Sequence, residues 1–200
     1  MYPSCFPVCR KLAPSVYRLA SLVLSIPLLA ACSGASSAPA PAKAATSRVA
    51  THLAVKDCAG AAGLLRDVIQ GMALVTDLPQ EPDAALQCMW RDDAGAVPAR
   101  MRSVSVAVYL GEQLAEDMYD AQTIALSGAT RVAAPTIERA GGIAFSKRSS
   151  TAAGVGGQFD AQLPDAHVVL QDTRGAEAAA GPELSDASRV RIAGGLLGLN

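Results

Sequence analysis

Aromatic side chains are scarce in this chain, with one Trp, three Phe and four Tyr in 200 residues. Any core must therefore be assembled from Val, Leu, Ile and the very abundant Ala. Histidine is limited to His52 and His167, which leaves little for a histidine-rich metal centre. No charge of one sign dominates, since 17 basic and 18 acidic residues give a formal net charge of −1. A nucleic-acid binder needs a basic surplus that is missing here. No Gly-x-Ser-x-Gly elbow and no His-Glu-x-x-His pair occurs. Gly154-Val155-Gly156-Gly157 lacks the Lys-Ser/Thr and the helix that would make it a phosphate loop, and it reads as a flexible hairpin turn. Asp92-Asp93 before Ala94-Gly95 reads as a solvated turn rather than a catalytic carboxylate pair. These absences leave no catalytic residue, metal or cofactor to nominate.

What the chain does have is a basic segment, Arg10, Lys11 and Arg18, followed by an apolar run from Leu19 to Ala31. The run is too short for a bilayer-spanning helix of roughly 20 residues, and Pro27 disfavours a continuous helix. It has the form of a secretory signal peptide with a small-residue cleavage site. Its ending, Leu29-Ala30-Ala31-Cys32, resembles the lipobox of bacterial lipoproteins. The resemblance implies that residues 1–31 are removed, that Cys32 is diacylated on sulfur and that its new amino group is acylated. Two or three chains matter because each buried methylene contributes ~0.8 kcal/mol and a single chain anchors only marginally. The expected location is extracytoplasmic, on the outer face of a bacterial membrane. In a two-membrane cell Ser33 is compatible with outer-membrane delivery and a periplasmic domain.

Removing residues 1–31 leaves 169 residues, enough for one domain, with 14 basic and 18 acidic side chains and a net charge of −4. Residues 32–51 comprise the anchor and an Ala/Ser/Pro-rich tether, expected to be disordered. Its sixteen residues 33–48 have a random-coil reach of ~20–25 Å. The folded domain is expected over 52–200. Cys5 and Cys9 leave with the signal peptide and Cys32 is taken by lipid, so Cys58 and Cys88 remain in a compartment that permits disulfides. One pairing is possible, and closing a loop of about 31 residues stabilises by ~3.5 kcal/mol in the chain-entropy account. The competing metal site would have to recruit His52 and His167, at spacings matching no zinc pattern.

Within the domain, Asp57 is a candidate N-cap for a helix through Gln70, with Leu64, Leu65, Val68 and Ile69 as its apolar stripe and Gly71 as its terminator. Leu74-Val75 reads as extended and Ala85–Arg91 as a short strand. The clearest strand is Met101–Leu110, where Val104, Val106 and Val108 alternate with Ser103, Ser105, Ala107 and Tyr109. A helix is expected over Glu112–Leu126, with Leu114, Met118, Ala121 and Ala125 inward, ended by Gly128. Strands are expected over Gly142–Lys147, Gln158–Leu163 and Ala166–Gln171, with Asp172-Thr173-Arg174-Gly175 as a turn. Ser185 caps a last helix, Asp186–Leu197. Tight turns between strands argue for an α+β fold, a twisted antiparallel sheet with two or three helices on one face.

Asp57-Cys58 before a helix, Cys88-Met89-Trp90, the Val-rich strand, the run Glu138-Arg139-Ala140-Gly141-Gly142-Ile143-Ala144-Phe145 and the closing helix are together similar to a family of small actinobacterial envelope lipoproteins of unknown function. The likeness spans about residues 55–198, though the proline that often precedes the first family cysteine is missing. It implies the Cys58–Cys88 pairing and the α+β sheet, and no catalytic residues. Toxin-immunity lipoproteins share the same anchor and tether. The expectation is a non-enzymatic binding module for a protein partner in the cell envelope, as inhibitor, immunity protein or accessory subunit. The competing expectation is a carrier or sensor of a small or lipidic ligand held between sheet and helices. Tyr109 lies on the polar side of the valine alternation, and with Arg102 and Ser105 it is the expected recognition surface. Trp90 shares the face of Cys88 and is expected over the disulfide, or, where partly exposed, as a hot spot. His167 is expected at a surface or sheet edge, and Lys147-Arg148 beside Ser149, Ser150 and Thr151 as a solvated loop at a strand end in preference to an anion site.

Overall fold

Val104, Val106 and Val108 are buried while Ser103, Ser105, Ala107 and Tyr109 between them are half-buried. That period of two organises the fold, since each neighbouring strand presents its own apolar set to the same side. The structure, a computed structural model, describes residues 52–92, 97–111, 119–179, 181 and 183–199. The leader, Cys32 and the tether lie outside the described residues, as do most of the turn after Asp92 and the first part of the helix expected from Glu112. The described residues fall in one compact unit.

In chain order the elements are α1 (Cys58–Leu65), β1 (Ala73–Leu74), β2 (Ala84–Arg91), a 3₁₀ turn (Pro98–Arg100), β3 (Arg102–Leu110), α2 (Ala121–Leu126), β4 (Thr130–Arg131), α3 (Pro135–Arg139), β5 (Ile143–Thr151), β6 (Gly154–Leu163), β7 (Ala166–Gly175) and α4 (Asp186–Leu196). The seven strands form one sheet in the order β1-β2-β3-β7-β6-β5-β4, and every neighbouring pair is antiparallel. The α+β reading is therefore the observed architecture. Leu86, Cys88 and Trp90 of β2, the three valines of β3, Val168 and Leu170 of β7, and Phe159, Ala161 and Leu163 of β6 line one face. Ala61 and Leu65 of α1, Ile137 of α3, and Ile192, Ala193 and Leu196 of α4 close the core over that face.

Cys58 and Cys88 form a disulfide that ties the first turn of α1 to the middle of β2, with their Cα atoms 5.6 Å apart. Asp57 caps α1 by accepting from the Gly60 amide at 2.8 Å, and Ser185 caps α4 by accepting from Ser188. The first helix ends at Leu65 and does not run on to Gln70. Residues 66–71 continue as turns, in which Val68 and Ile69 donate to the Leu65 carbonyl, and Gly71 at φ +76° reverses the chain. The turns still bring Val68, Ile69 and Met72 onto the core.

Three further expectations are corrected. Of the helix expected over Glu112–Leu126, residues 112–118 lie outside the described residues; after them a helix runs over Ala121–Leu126, where Asp120 is extended and caps it through the Thr123 amide. Ile124 is its buried residue, whereas Ala121 and Ala125 are exposed. α3 was not anticipated, although Pro135 stands at its first position, a recognised helix-start signal. Gly154–Gly157 belong to β6 and not to a turn, because Ala152 and Ala153 make the hairpin between β5 and β6. Asp172–Gly175 extend β7, paired with Arg102–Val104 on one side and Gly154–Gly157 on the other. The ladders on both sides satisfy backbone groups that a turn here would have left open.

Candidate binding surface

α1, α3 and α4 cover one face of the sheet. On the other face, register places Met89 of β2, Ser103, Ser105, Ala107 and Tyr109 of β3, His167, Val169, Gln171 and Thr173 of β7, and Gln158, Asp160 and Gln162 of β6 side by side. Toward β5 this face is covered, since Tyr119 stacks on Phe145 at 5.8 Å between ring centres and its amide donates to Gln162 Oε1 at 2.9 Å. Over β2, β3 and β7 the half-burial of Met89, Ser105, Ala107 and Val169 marks a sheet surface with no helix layer among the described residues.

Tyr109 stands at one end of that strip and is held from two sides. Its hydroxyl donates to Glu81 Oε2, and its ring lies 5.8 Å from that of His167, the residue directly opposite it in the ladder. Glu81 is fixed in turn, because its amide donates to Gln87 Oε1 at 2.8 Å and so folds the segment before β2 against this face. His167 Nε2 lies 3.0 Å from Asp160 Oδ1, and Gln158 donates to the other carboxylate oxygen at 2.9 Å. At the far end the hydroxyls of Ser103 and Thr173, opposite one another, are 2.6 Å apart. His167 thus sits on a central strand, not at an edge, as part of a polar row flanking a strip of small side chains.

The hydroxyl pKa of Tyr109 is pushed up to about 12, first by burial, then by the hydrogen bond to Glu81 and its charge. The folded state therefore favours the neutral phenol. Unfolded tyrosine ionises near pH 10, so this contribution to stability is whole below about pH 10 and is lost as the pH rises through about 12. Absorbance titration of tyrosinate should show Tyr109 ionising near pH 12, and Glu81→Gln should bring that midpoint down. A midpoint untouched by Glu81→Gln would contradict the pairing.

Of the four residues expected to form the recognition surface, the structure brings only Tyr109 and Ser105 together. Arg102 is on the opposite face, because it is in phase with Val104 and not with Tyr109. Its guanidinium bonds Asp92 at 3.1 Å and the Gln70 carbonyl at 3.4 Å. Trp90 is in phase with Cys88, is 3% exposed and belongs to the core, so it is no surface anchor. His167, expected only as a surface or edge residue, completes the surface with Asp160 and Glu81, which were not singled out. Their pairing is set by the register of β3, β7 and β6, which single-strand patterns do not carry.

Among the described residues no group of three His, Cys, Asp or Glu side chains converges as a metal site, and no helix is long and apolar enough to cross a membrane. No known protein family, curated protein sequence or solved structure matches the chain. The class of protein stands on the fold alone, a disulfide-linked α+β domain with one helix-covered sheet face and one that is partly open among the described residues.

Proposed function

We propose that the chain is a lipid-anchored extracytoplasmic binding module that recognises a protein partner in the cell envelope, as an inhibitor, immunity protein or accessory subunit. The observation that carries the reading is the open strip of β2, β3 and β7 ending in Tyr109, an aromatic side chain pre-oriented by Glu81 and His167. A rigid, half-buried Tyr is a suitable anchor, since it offers contact area with little conformational freedom left to lose. Ser105 and Ala107 beside it are small enough to admit a partner side chain. The proposal is non-enzymatic. Asp160 and His167 resemble part of a catalytic relay, but no Ser, Thr or Cys among the described residues hydrogen-bonds His167. The likeness to small envelope lipoproteins belongs to the same proposal.

Two experiments test it. Tyr109→Ala should leave the fold intact and weaken binding of the partner at least tenfold, about 1.4 kcal/mol. Unchanged affinity would remove this surface. For the anchor, Cys32→Ser should move the protein from the detergent phase to the soluble fraction or leave an unprocessed precursor. A processed protein that still partitions with the membrane would contradict lipidation at Cys32.

A further inference from the structure

On the helix-covered side, beyond the ends of the helices, the sheet carries a cleft of about 240 Å³. Arg102 of β3 and Arg174 of β7 stand directly opposite in the ladder and both line it, together with Arg148 of β5. Val68, Met72, Val104, Val155 and Leu184 supply its apolar walls. Like charges facing each other across neighbouring strands disfavour the pair unless counter-charges stand close by. Arg102 has such a partner in Asp92, at 3.1 Å with both side chains largely buried. Asp172 in the cleft is already engaged by Arg189 beneath it. Arg148 and Arg174 share a single carboxylate, Glu183, at 3.4 Å from each. The Glu183 side chain is 58% exposed, and that of Arg148 is 55% exposed. Ion pairs this long and this exposed contribute little. Glu183 therefore occupies the fork between two guanidiniums in a form that a better oxyanion can displace, because a bidentate carboxylate or phosphate bonds arginine more strongly.

We propose that this cleft binds a small amphiphilic oxyanion. Its head displaces the Glu183 carboxylate between Arg148 and Arg174, and its short apolar tail lies against Val68, Met72, Val104 and Leu184. The volume lies below the range of drug-sized ligand sites, which restricts the tail to a short one. The cleft is on the opposite side of the sheet from Tyr109, so the inference stands apart from the partner surface.

The test uses residues 32–200 with Cys32→Ser, which retain the whole core, and octanoate, octanol and inorganic phosphate as probes, followed by calorimetry and backbone-amide chemical shifts. Octanoate should bind saturably and at least tenfold more tightly than octanol or inorganic phosphate, with shifts confined to the cleft strands and the segment around Glu183. Glu183→Gln should tighten octanoate at least threefold by removing the internal competitor. Arg174→Gln should weaken it at least tenfold, and Arg148→Gln provides the same reading should the first variant fail to fold. Absence of octanoate binding, inorganic phosphate binding as tightly as octanoate, or no tightening in Glu183→Gln would each overturn the proposal. Shifts centred on Tyr109 would overturn it as well while leaving the partner surface in place.

Discussion

Replacing Cys58 and Cys88 together by alanine is expected to lower the stability of the domain by about 3.5 kcal/mol. The bond closes a segment with a sequence separation of 30 that contains α1, the turns after it, β1 and half of β2. Without it the unfolded chain regains the freedom of that loop. The native state also loses the fastening of α1, whose eight residues are too few to hold as an isolated helix. Most single domains are stable by only 5–15 kcal/mol, so the loss removes a large share of the margin. Urea unfolding of oxidised wild type and the double variant measures it directly. A difference under about 1 kcal/mol would show that α1 is held by Ala61 and Leu65 against the core with no need of the bond.

The second large effect concerns Arg189, which is 0% exposed and lies beneath the sheet. One guanidinium nitrogen bonds Asp172, a second reaches Asp186 at 3.2 Å, and Nε has no partner among the described residues. Gly157 makes the arrangement possible, since a Cβ there would collide with the guanidinium and stand 2.7 Å from Asp172 Oδ1. Arg189→Ala is expected to cost about 3 kcal/mol, the low end for breaking a buried ion pair. The low end applies because the abandoned carboxylates of Asp172 and Asp186, 28% and 46% exposed, can take up water. Arg189→Met combined with Asp172→Asn should recover most of that loss, because replacing both partners removes the stranded charge. Urea midpoints decide the matter. An alanine variant within 1 kcal/mol of wild type, or a double variant no better than the single, would contradict the assignment of Arg189 as a paired structural cation.

Where a residue's face follows from a period of two, the sequence was a sound guide. Val104, Val106 and Val108 define the core side from their alternation alone, and the caps Asp57 and Ser185 lie where expected. The same period, applied strictly, would have separated Arg102 from Tyr109, since an even and an odd position on one strand face opposite ways. Grouping them by nearness in sequence was the error. Arg189 was illegible for a different reason. An arginine in an amphipathic helix, here one of two with Arg191, reads as solvent-facing, and its partner Asp172 was assigned to a turn that is in fact strand. The polar, Gly-rich stretches Gly154–Gly157 and Asp172–Gly175 look like loops taken singly. They are strands because they pair with one another, and because the absent Gly157 side chain leaves room for a guanidinium. Long-range pairing of this kind has no local signature, so the cleft and the Glu81–Tyr109–His167–Asp160 row both depended on register.

The central claim is that a protein partner meets the open sheet face at Tyr109 and Ser105. In-cell photo-cross-linking tests it most directly, with a photoreactive phenylalanine analogue placed at Ser105 and, as a control, at Glu138, an exposed position on α3. The account predicts a discrete protein adduct from position 105 that is absent from position 138 and is lost when Tyr109→Ala is added. No adduct from position 105, or the same adducts from both positions, would contradict it.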